Sequence, residues 1–266
     1  MKKSILLSAL LLLPFSILEV KSQDLLELSP TIVVATKTPK DILDVMPSTA
    51  YISNDELNGR QLNELENALQ YLPGVSIVQT GHKGGVVSMF VRGLESNHVV
   101  TLLNGRRLAP GLAGLYNLEL LDTSLLESVQ LAKGPVSSLY GSDAIGGALD
   151  LRMTDARFIN EKNNLGLITE AGSFNTFRNS IKYQTKEDNV GFVTDFAYLK
   201  TDNDRPFSEF KNLTIRNNIS YEIAENIYFD ILSYYQGSDL QVPGSELSLS
   251  LIHISEPTRP LYISYA

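Results

Sequence analysis

Between Asn67 and Met153 the chain reads, in order, ALQYLPGVSIVQ (68–79), MFVRG (89–93), VVTLLNGRRL (99–108) and ESVQLAKGPVSSLYGSDAIGGALDLRM (127–153). Short apolar, β-prone runs alternate here with Gly, Pro and Asn, which spells strands separated by tight turns. Upstream, Ser53-Asn54-Asp55-Glu56 has the chemistry of a helix N-cap. From there Leu57, Leu62, Leu65, Leu69 and Leu72 recur at near-helical spacing, broken at Gly59, until Pro73-Gly74 stops the helix. Val75 to Gln79, Val86 to Val91, Val99 to Leu103, Val129 to Ala132 and Ala148 to Met153 read as strands, and Asn104-Gly105 as a tight turn. Residues 41–155 are therefore expected to form a compact mixed α/β unit.

The rhythm changes after residue 160, where the pattern alternates with period two. Leu165, Leu167, Thr169 and Ala171 form one row; Val190, Phe192, Thr194, Phe196 and Tyr198 another. Leu213, Ile215, Ile219 and Tyr221, then Ile227, Phe229 and Ile231, continue it. Segments of this length suit tilted strands that cross a bilayer. Glu187-Asp188-Asn189 and Ala224-Glu225-Asn226 read as minimal turns and 201–211 as a longer polar loop. That contrast is the asymmetry of a transmembrane barrel, although a soluble antiparallel sheet alternates in the same way.

Before the α/β unit stand two further segments. Lys2 and Lys3 precede an apolar run from Ile5 to Leu13, too short to span a bilayer, which reads as a signal peptide over 1–22. Thr31, Ile32, Val33, Val34, Ala35 and Thr36 form a lone β-prone hexapeptide between Pro30 and Pro39. It reads either as an edge strand of the next domain or as a segment kept free for strand addition to another protein.

The formal charge is −8, and −10 without residues 1–22, which carry Lys2, Lys3, Lys21 and Glu19. An acidic chain without basic clusters argues against nucleic acid as a partner. No cysteine is present, so disulfides and thiolate metal sites are excluded. His82, His98 and His253 lack metal-ligand spacing. The glycine-rich run Gly134–Gly147 is followed by a strand and carries no GKS or GKT, which argues against a phosphate cradle; its glycines are expected to make tight turns where the domain meets a barrel wall. Ser142-Asp143 and Ser96-Asn97-His98 contain nucleophile and base types but no hydrolase elbow, so no enzyme is expected.

The ordered set at 67–153 resembles the plug domain of TonB-dependent outer-membrane receptors, and the likeness extends over about residues 30–236. It implies an α+β plug domain followed by the first strands of an antiparallel transmembrane β-barrel, incomplete in this chain. The expected organisation is signal peptide 1–22, TonB-box segment 23–40, plug 41–155, about five barrel strands over 156–244, and a non-native tail at 245–266. A receptor barrel of this type has about 22 strands and needs upward of roughly 400 residues, so an N-terminal fragment is expected. The tail, through LSLIHISEPTRP, resembles translated sequencing-adapter read-through.

Within the class the resemblance is strongest to cobalamin receptors, through GHKGGVVSMFVRGLESNHVVTLLNGRRLAPGLAG (81–114) and TDND (201–204). It implies ligand contacts at Val86, Ser88, Glu95, Ala113 and Gly114, with Glu95 departing from the subgroup's amide side chain. Thr31 to Thr36 would be the TonB box, and Arg92 would lie at the plug–barrel boundary, although an Arg at the end of the strand Met89-Phe90-Val91 also reads as a solvent-facing charge. Asp202 and Asp204 fall on calcium-ligand positions, but calcium takes six to eight oxygens and the pair also reads as a solvated acidic loop. Apart from calcium there, no cofactor is implied. The implied partners are TonB, with ExbB and ExbD, a nutrient such as cobalamin or a ferric siderophore, and outer-membrane lipid. The implied location is the outer membrane of a Gram-negative cell. A docking receptor for a phage or bacteriocin, or for another large nutrient, is the alternative. A sensor role would need a further periplasmic domain before the box, which the short stretch between Ser22 and Thr31 does not supply.

Overall fold

The computed structural model describes residues 30–45, 48–110, 116–159, 163–225 and 227–243. The expected signal peptide, ligand positions Ala113 and Gly114, and the tail at 245–266 lie outside the described residues. Strand β1 (Thr31–Ile32) pairs antiparallel with β2 (Lys40–Asp41). β3 (Ser48–Ser53) runs directly into α1 (Asn54–Gly59), because the Ser53 hydroxyl accepts the Glu56 N–H at 3.2 Å and relieves an orphan donor. The leucine spacing predicts a helix broken at Gly59; the chain makes two helices, α1 and α2 (Leu65–Gln70), with Gln61 left-handed between them. All five leucines of the pattern are buried. Gly74, also left-handed, then turns the chain into the hairpin β4 (Val75–Gln79) and β5 (Val87–Val91).

β6 (Val99–Leu103), β7 (Arg106–Arg107), β8 (Leu126–Lys133) and β9 (Gly147–Met153) join β3 in a five-stranded sheet of order β3-β8-β9-β6-β7. β6 and β9 are parallel and the other neighbours antiparallel. Asn104 and Gly105 are both left-handed, as a two-residue hairpin turn requires. Both faces of this sheet are covered, so its strands read as continuous apolar runs. One face packs Val129, Leu131, Leu149 and Leu151 against Leu57, Leu65 and Leu69. The other presents Val100, Leu102, Ala132 and Ala148 to Ile32, Val34 and Ala35.

Five long strands follow as an antiparallel meander: β10 (Asn164–Gly172), β11 (Thr176–Glu187), β12 (Val190–Thr201), β13 (Phe210–Ala224) and β14 (Ile227–Leu240). Their register aligns Leu167, Ile181, Phe196, Ile215 and Tyr235 in one row. One residue along, Lys182, Asp195, Arg216 and Tyr234 align on the opposite face. The apolar face is turned outward, with Leu167 67% and Phe229 58% exposed, while Asp195 and Arg216 are buried at 0% and 1%. This inverts the pattern of a soluble sheet and is the arrangement of a wall whose outside meets lipid.

The α+β domain lies against the polar face. β11 escapes the alternation reading because Asn179, Tyr183 and Thr185 share its row with Phe177 and Ile181. The expected contrast of loop lengths holds at 202–209. It fails at 173–175, a turn at the same end of the sheet, where the Asp202 N–H donates to Phe174 O at 2.8 Å. No helix among the described residues is long and apolar enough to cross a membrane, which says nothing of strands.

Candidate functional site

The Thr31–Thr36 segment departs from the expected strand. Only Thr31 and Ile32 are extended in a ladder. The Val33 carbonyl accepts the N–H of Thr36 at 3.2 Å and of Lys37 at 2.8 Å, with Lys37 left-handed, so the second half of the hexapeptide is a turn. Nor is the segment free: Ile32 and Val34 are fully buried. Gln130 of β8 bonds its backbone, accepting Val33 N–H at 2.9 Å and Val34 N–H at 3.3 Å and reaching Thr31 O at 3.5 Å. The Tyr140 hydroxyl, from the short helix α3 (Ser137–Tyr140), donates to Val34 O at 2.8 Å. Burial pushes the Tyr140 phenol up to about 12, so it remains a donor across the physiological range. The Gly134–Gly147 run thus packs on this N-terminal segment, through Val136, Tyr140 and Ala144. Gln130 and Tyr140 escape sequence reading because neither carries a spacing signal; only a buried amide in an apolar strand hints at a partner.

Of the expected ligand positions, Val86 is exposed and Ser88 half-buried at the start of β5. Glu95 is exposed just before the 3-10 turn Ser96–His98, and no hydrogen bond or ion pair joins it to the other two among the described residues. The preceding loop is clamped by the far end of the wall. Asn203 Nδ2 donates to Lys83 O at 3.2 Å, His82 Nδ1 lies 2.6 Å from Asp204 Oδ1, and Lys83 pairs with Glu64. Gly84 is left-handed, and a Cβ there would stand 2.4 Å from the buried Phe210 ring, so this contact needs glycine.

Asp202 and Asp204 share a loop but are turned to different partners. Asp202 accepts from Asn175 Nδ2 at 2.6 Å and Asp204 faces His82. Among the described residues no group of three or more His, Cys, Asp or Glu is placed to hold a metal ion.

A second set of bonds fixes the domain to the wall. Arg178 Nε donates to Asp122 Oδ2 at 3.0 Å, its Nη2 to Asp122 Oδ1, and its Nη1 to Glu170 Oε2 at 3.1 Å. Ser124 Oγ meets Ser180 Oγ at 2.8 Å, and Asn212 Nδ2 donates to Leu120 O at 2.8 Å. Where the chain leaves the domain, Arg216 pairs with Asp195 and donates to Thr154 O at 2.9 Å, while Asn218 Oδ1 accepts Ala156 N–H at 2.8 Å. A charge buried on a wall needs such partners, since an isolated one is costly. Arg92 is left-handed and exposed among the described residues, with its N–H on Gly74 O at 2.8 Å.

Between domain and wall lies a cavity of about 120 Å³ lined by Glu64, Glu66, Lys83, Glu119, Asp122 and Arg178 among others. Burial pushes Glu66 up to about 7, with the negative Glu64 adding to the rise, and burial also raises Glu119. Ser142 donates to Asp143 Oδ1 at 3.1 Å, but Arg107 engages Asp143 and holds its carboxyl below the usual range. That arrangement makes Asp143 an ion-pair partner and a weak base.

Residues 41–148 match the family described as TonB-dependent Receptor Plug Domain. The chain is 33% identical over 158 residues to the Vitamin B12 transporter BtuB of Vibrio vulnificus (strain CMCP6), covering 59% of this chain and 26% of that protein. The fold is similar to the pyoverdine outer membrane receptor FpvA of Pseudomonas aeruginosa PAO1 bound to pyoverdine, with TM-score 0.66 and 17% identity over 80% of this chain and 32% of that one. It is also similar to the siderophore receptor PiuA of Acinetobacter baumannii, with TM-score 0.63 and 20% identity over 76% and 27% of the two chains. The chain spans about a quarter to a third of the length of these relatives. Residues 41–148 are thus similar to the plug domain of TonB-dependent receptors, and the α+β domain with the five strands after it shares its fold with the opening part of the matched receptor structures.

Proposed function

We propose that this chain supplies the plug and opening wall of an outer-membrane transporter that takes up a scarce nutrient, cobalamin or a metal chelate such as a ferric siderophore. The observation that carries the reading is the inverted sheet, apolar toward lipid and polar toward the plug, with the plug bonded into its polar face through Arg178–Asp122 and Arg216–Thr154. A channel closed by a folded domain cannot pass a large solute unless the domain moves, and movement needs a handle. Thr31 to Thr36 is the handle in this reading: TonB, energised with ExbB and ExbD, adds a strand to it and pulls. The ligand would sit against Val86, Ser88, Glu95, Ala113 and Gly114, and the 33% identical cobalamin transporter favours cobalamin over a siderophore. Calcium on the loop bearing Asp202 and Asp204 would require further oxygen ligands to turn toward it.

The test is Val33→Pro in the full-length receptor. Proline removes the N–H that strand addition needs. Energy-dependent accumulation of cobalamin should be lost while cobalamin binding to the cell surface persists. Normal accumulation in that variant refutes the box, and absence of surface binding to the wild type refutes cobalamin.

A further inference from the structure

The tip of the β4–β5 hairpin has little with which to hold its own shape. Gly81, Gly84 and Gly85 are three of its seven residues from Thr80 to Val86, so it has few side chains to pack and much backbone freedom to lose. Two internal bonds close it: Thr80 N–H donates to Val86 O at 3.0 Å and Gly85 N–H to His82 O at 2.7 Å. The rest of its restraint comes from around it. From the plug, Gln79 Nε2 reaches His82 O at 3.3 Å and Glu64 pairs with Lys83. From the wall come Asp204 on His82, the Phe210 ring against Gly84, and Asn203 Nδ2 on the Lys83 carbonyl at 3.2 Å.

Asn203 differs from the other two wall residues. Its one amide group donates both to Lys83 O in the plug and to Ser208 O in its own loop at 2.5 Å. Its backbone is left-handed at φ 57°, a conformation that asparagine tolerates. Its own N–H is held by Thr201 Oγ1 at 3.2 Å. Ser208, 1% exposed, ties the loop through bonds to Asp202 O at 3.2 Å and Arg205 O at 2.6 Å, and Asp202 N–H reaches the adjoining turn at Phe174 O. The donor is therefore mounted on a closed loop, a firmer base than the glycine-rich tip it holds. That tip leads directly to the expected ligand positions. Val86 ends it, Ser88 follows, and Val87 between them is buried with its N–H donated to Glu119 Oε2 at 3.3 Å.

We propose that Asn203 is a positioning residue for the ligand face of the plug: by holding Lys83 it sets where the Thr80–Val86 tip stands, and so how well Val86 and Ser88 meet a ligand. This rests on the reading of Val86 and Ser88 as ligand contacts. The wall thereby sets the affinity of a surface that belongs to the plug. The task needs a short side chain that donates twice from a left-handed backbone. Aspartate keeps the shape and the backbone but turns a carboxylate, which donates nothing, onto two carbonyl oxygens. Glycine keeps the backbone and makes neither bond.

The experiment compares the full-length wild-type receptor with Asn203→Gly, Asn203→Asp and Ser208→Ala. It reads amide hydrogen exchange over 80–87 without ligand, the Kd for cyanocobalamin, and the KM and maximal rate of its uptake. Asn203→Gly should quicken exchange at Thr80 and Gly85 about fivefold, and Asn203→Asp on the order of tenfold to a hundredfold. Kd and KM should rise by similar factors while the maximal rate stays near wild type, since the handle and its partner are untouched. Ser208→Ala removes bonds within the wall loop and none to the plug, so it should change exchange over 80–87 by less than about twofold. Exchange over β6 and β9 reports whether each variant is folded, and Asn203→Gly decides alone if Asn203→Asp is not. Unchanged exchange over 80–87 in the folded Asn203 variants overturns the inference, and so does an equal effect of Ser208→Ala. Val86→Asp is measured alongside. If it leaves Kd unchanged, the ligand assignment fails; if it raises Kd while the Asn203 variants, with faster exchange, do not, the inference fails. If the wild type binds no cobalamin, the cobalamin reading falls and exchange alone decides the grip.

Discussion

Replacing Arg178 by Met should weaken the attachment of plug to wall by about 3–5 kcal/mol, because one member of a buried ion pair is removed and the other is stranded. Both side chains are nearly inaccessible, Arg178 at 5% and Asp122 at 6%. The pairing is bidentate, through Nε and Nη2 onto the two carboxylate oxygens, the geometry that makes such pairs strong. The two single variants differ in what they strand. Without Arg178, Asp122 still accepts the Ser124 N–H at 2.9 Å and its hydroxyl at 2.6 Å, so the loss falls near the lower end, about 3 kcal/mol. Asp122→Leu leaves a buried guanidinium whose other carboxylate, Glu170, is 38% exposed; that loss falls near the upper end, about 5 kcal/mol. The double variant carries no buried unpaired charge, since Glu170 is 38% exposed, and should cost less than either, below about 3 kcal/mol, a coupling of more than about 5 kcal/mol. The assay is pulse proteolysis of the full-length receptor in detergent across a urea series, following cleavage within the plug. Single-variant losses below about 1 kcal/mol, or a double variant equal to the sum of the singles within about 0.5 kcal/mol, would refute the ion pair as the clasp.

Three further outcomes follow from the same contacts. Gly84→Ala should destabilise the plug apex by about 1–3 kcal/mol through overlap with the Phe210 ring, and Phe210→Leu should recover part of that loss but not the cost of the left-handed backbone, measured by the same urea series. Glu66 is about 7 in the folded plug against 4.5 as the ordinary value, so its contribution is full below pH 4.5 and is lost as pH rises toward 7. Unfolding free energy should therefore fall by up to about 1.4 kcal/mol per pH unit across that window, and Glu66→Gln should flatten the slope; an unchanged slope in the variant removes Glu66 as the cause. Phe196→Arg places a charge in the outward row with Ile181 and Ile215 and should cost about 2–4 kcal/mol of barrel stability in lipid, whereas Glu187→Lys at the exposed end of β11 should cost almost nothing; equal tolerance in heat-modifiability gels would argue that this face does not meet lipid.

What the sequence determined by itself was local or periodic. The strands at 75–79 and 99–103, the Asn104-Gly105 turn, the Ser53 cap and the buried leucines each depend on neighbours a few residues away, where propensity and turn chemistry act directly. The wall strands were legible where outward residues are apolar and became illegible at β11, whose outward row mixes Asn179 and Thr185 with Ile181. Tertiary structure alone decided which face of the alternation is buried, since the same period serves a soluble sheet and a membrane wall, and only packing of the plug on Asp195, Thr214 and Arg216 distinguishes them. It also decided the fate of Thr31–Thr36. β-propensity favours a strand there, but Gln130 and Tyr140, about a hundred residues away in sequence, capture its backbone and fold half of it into a turn. Bonds across such separations leave no mark on local pattern, because their partners are chosen by the sheet that brings them together.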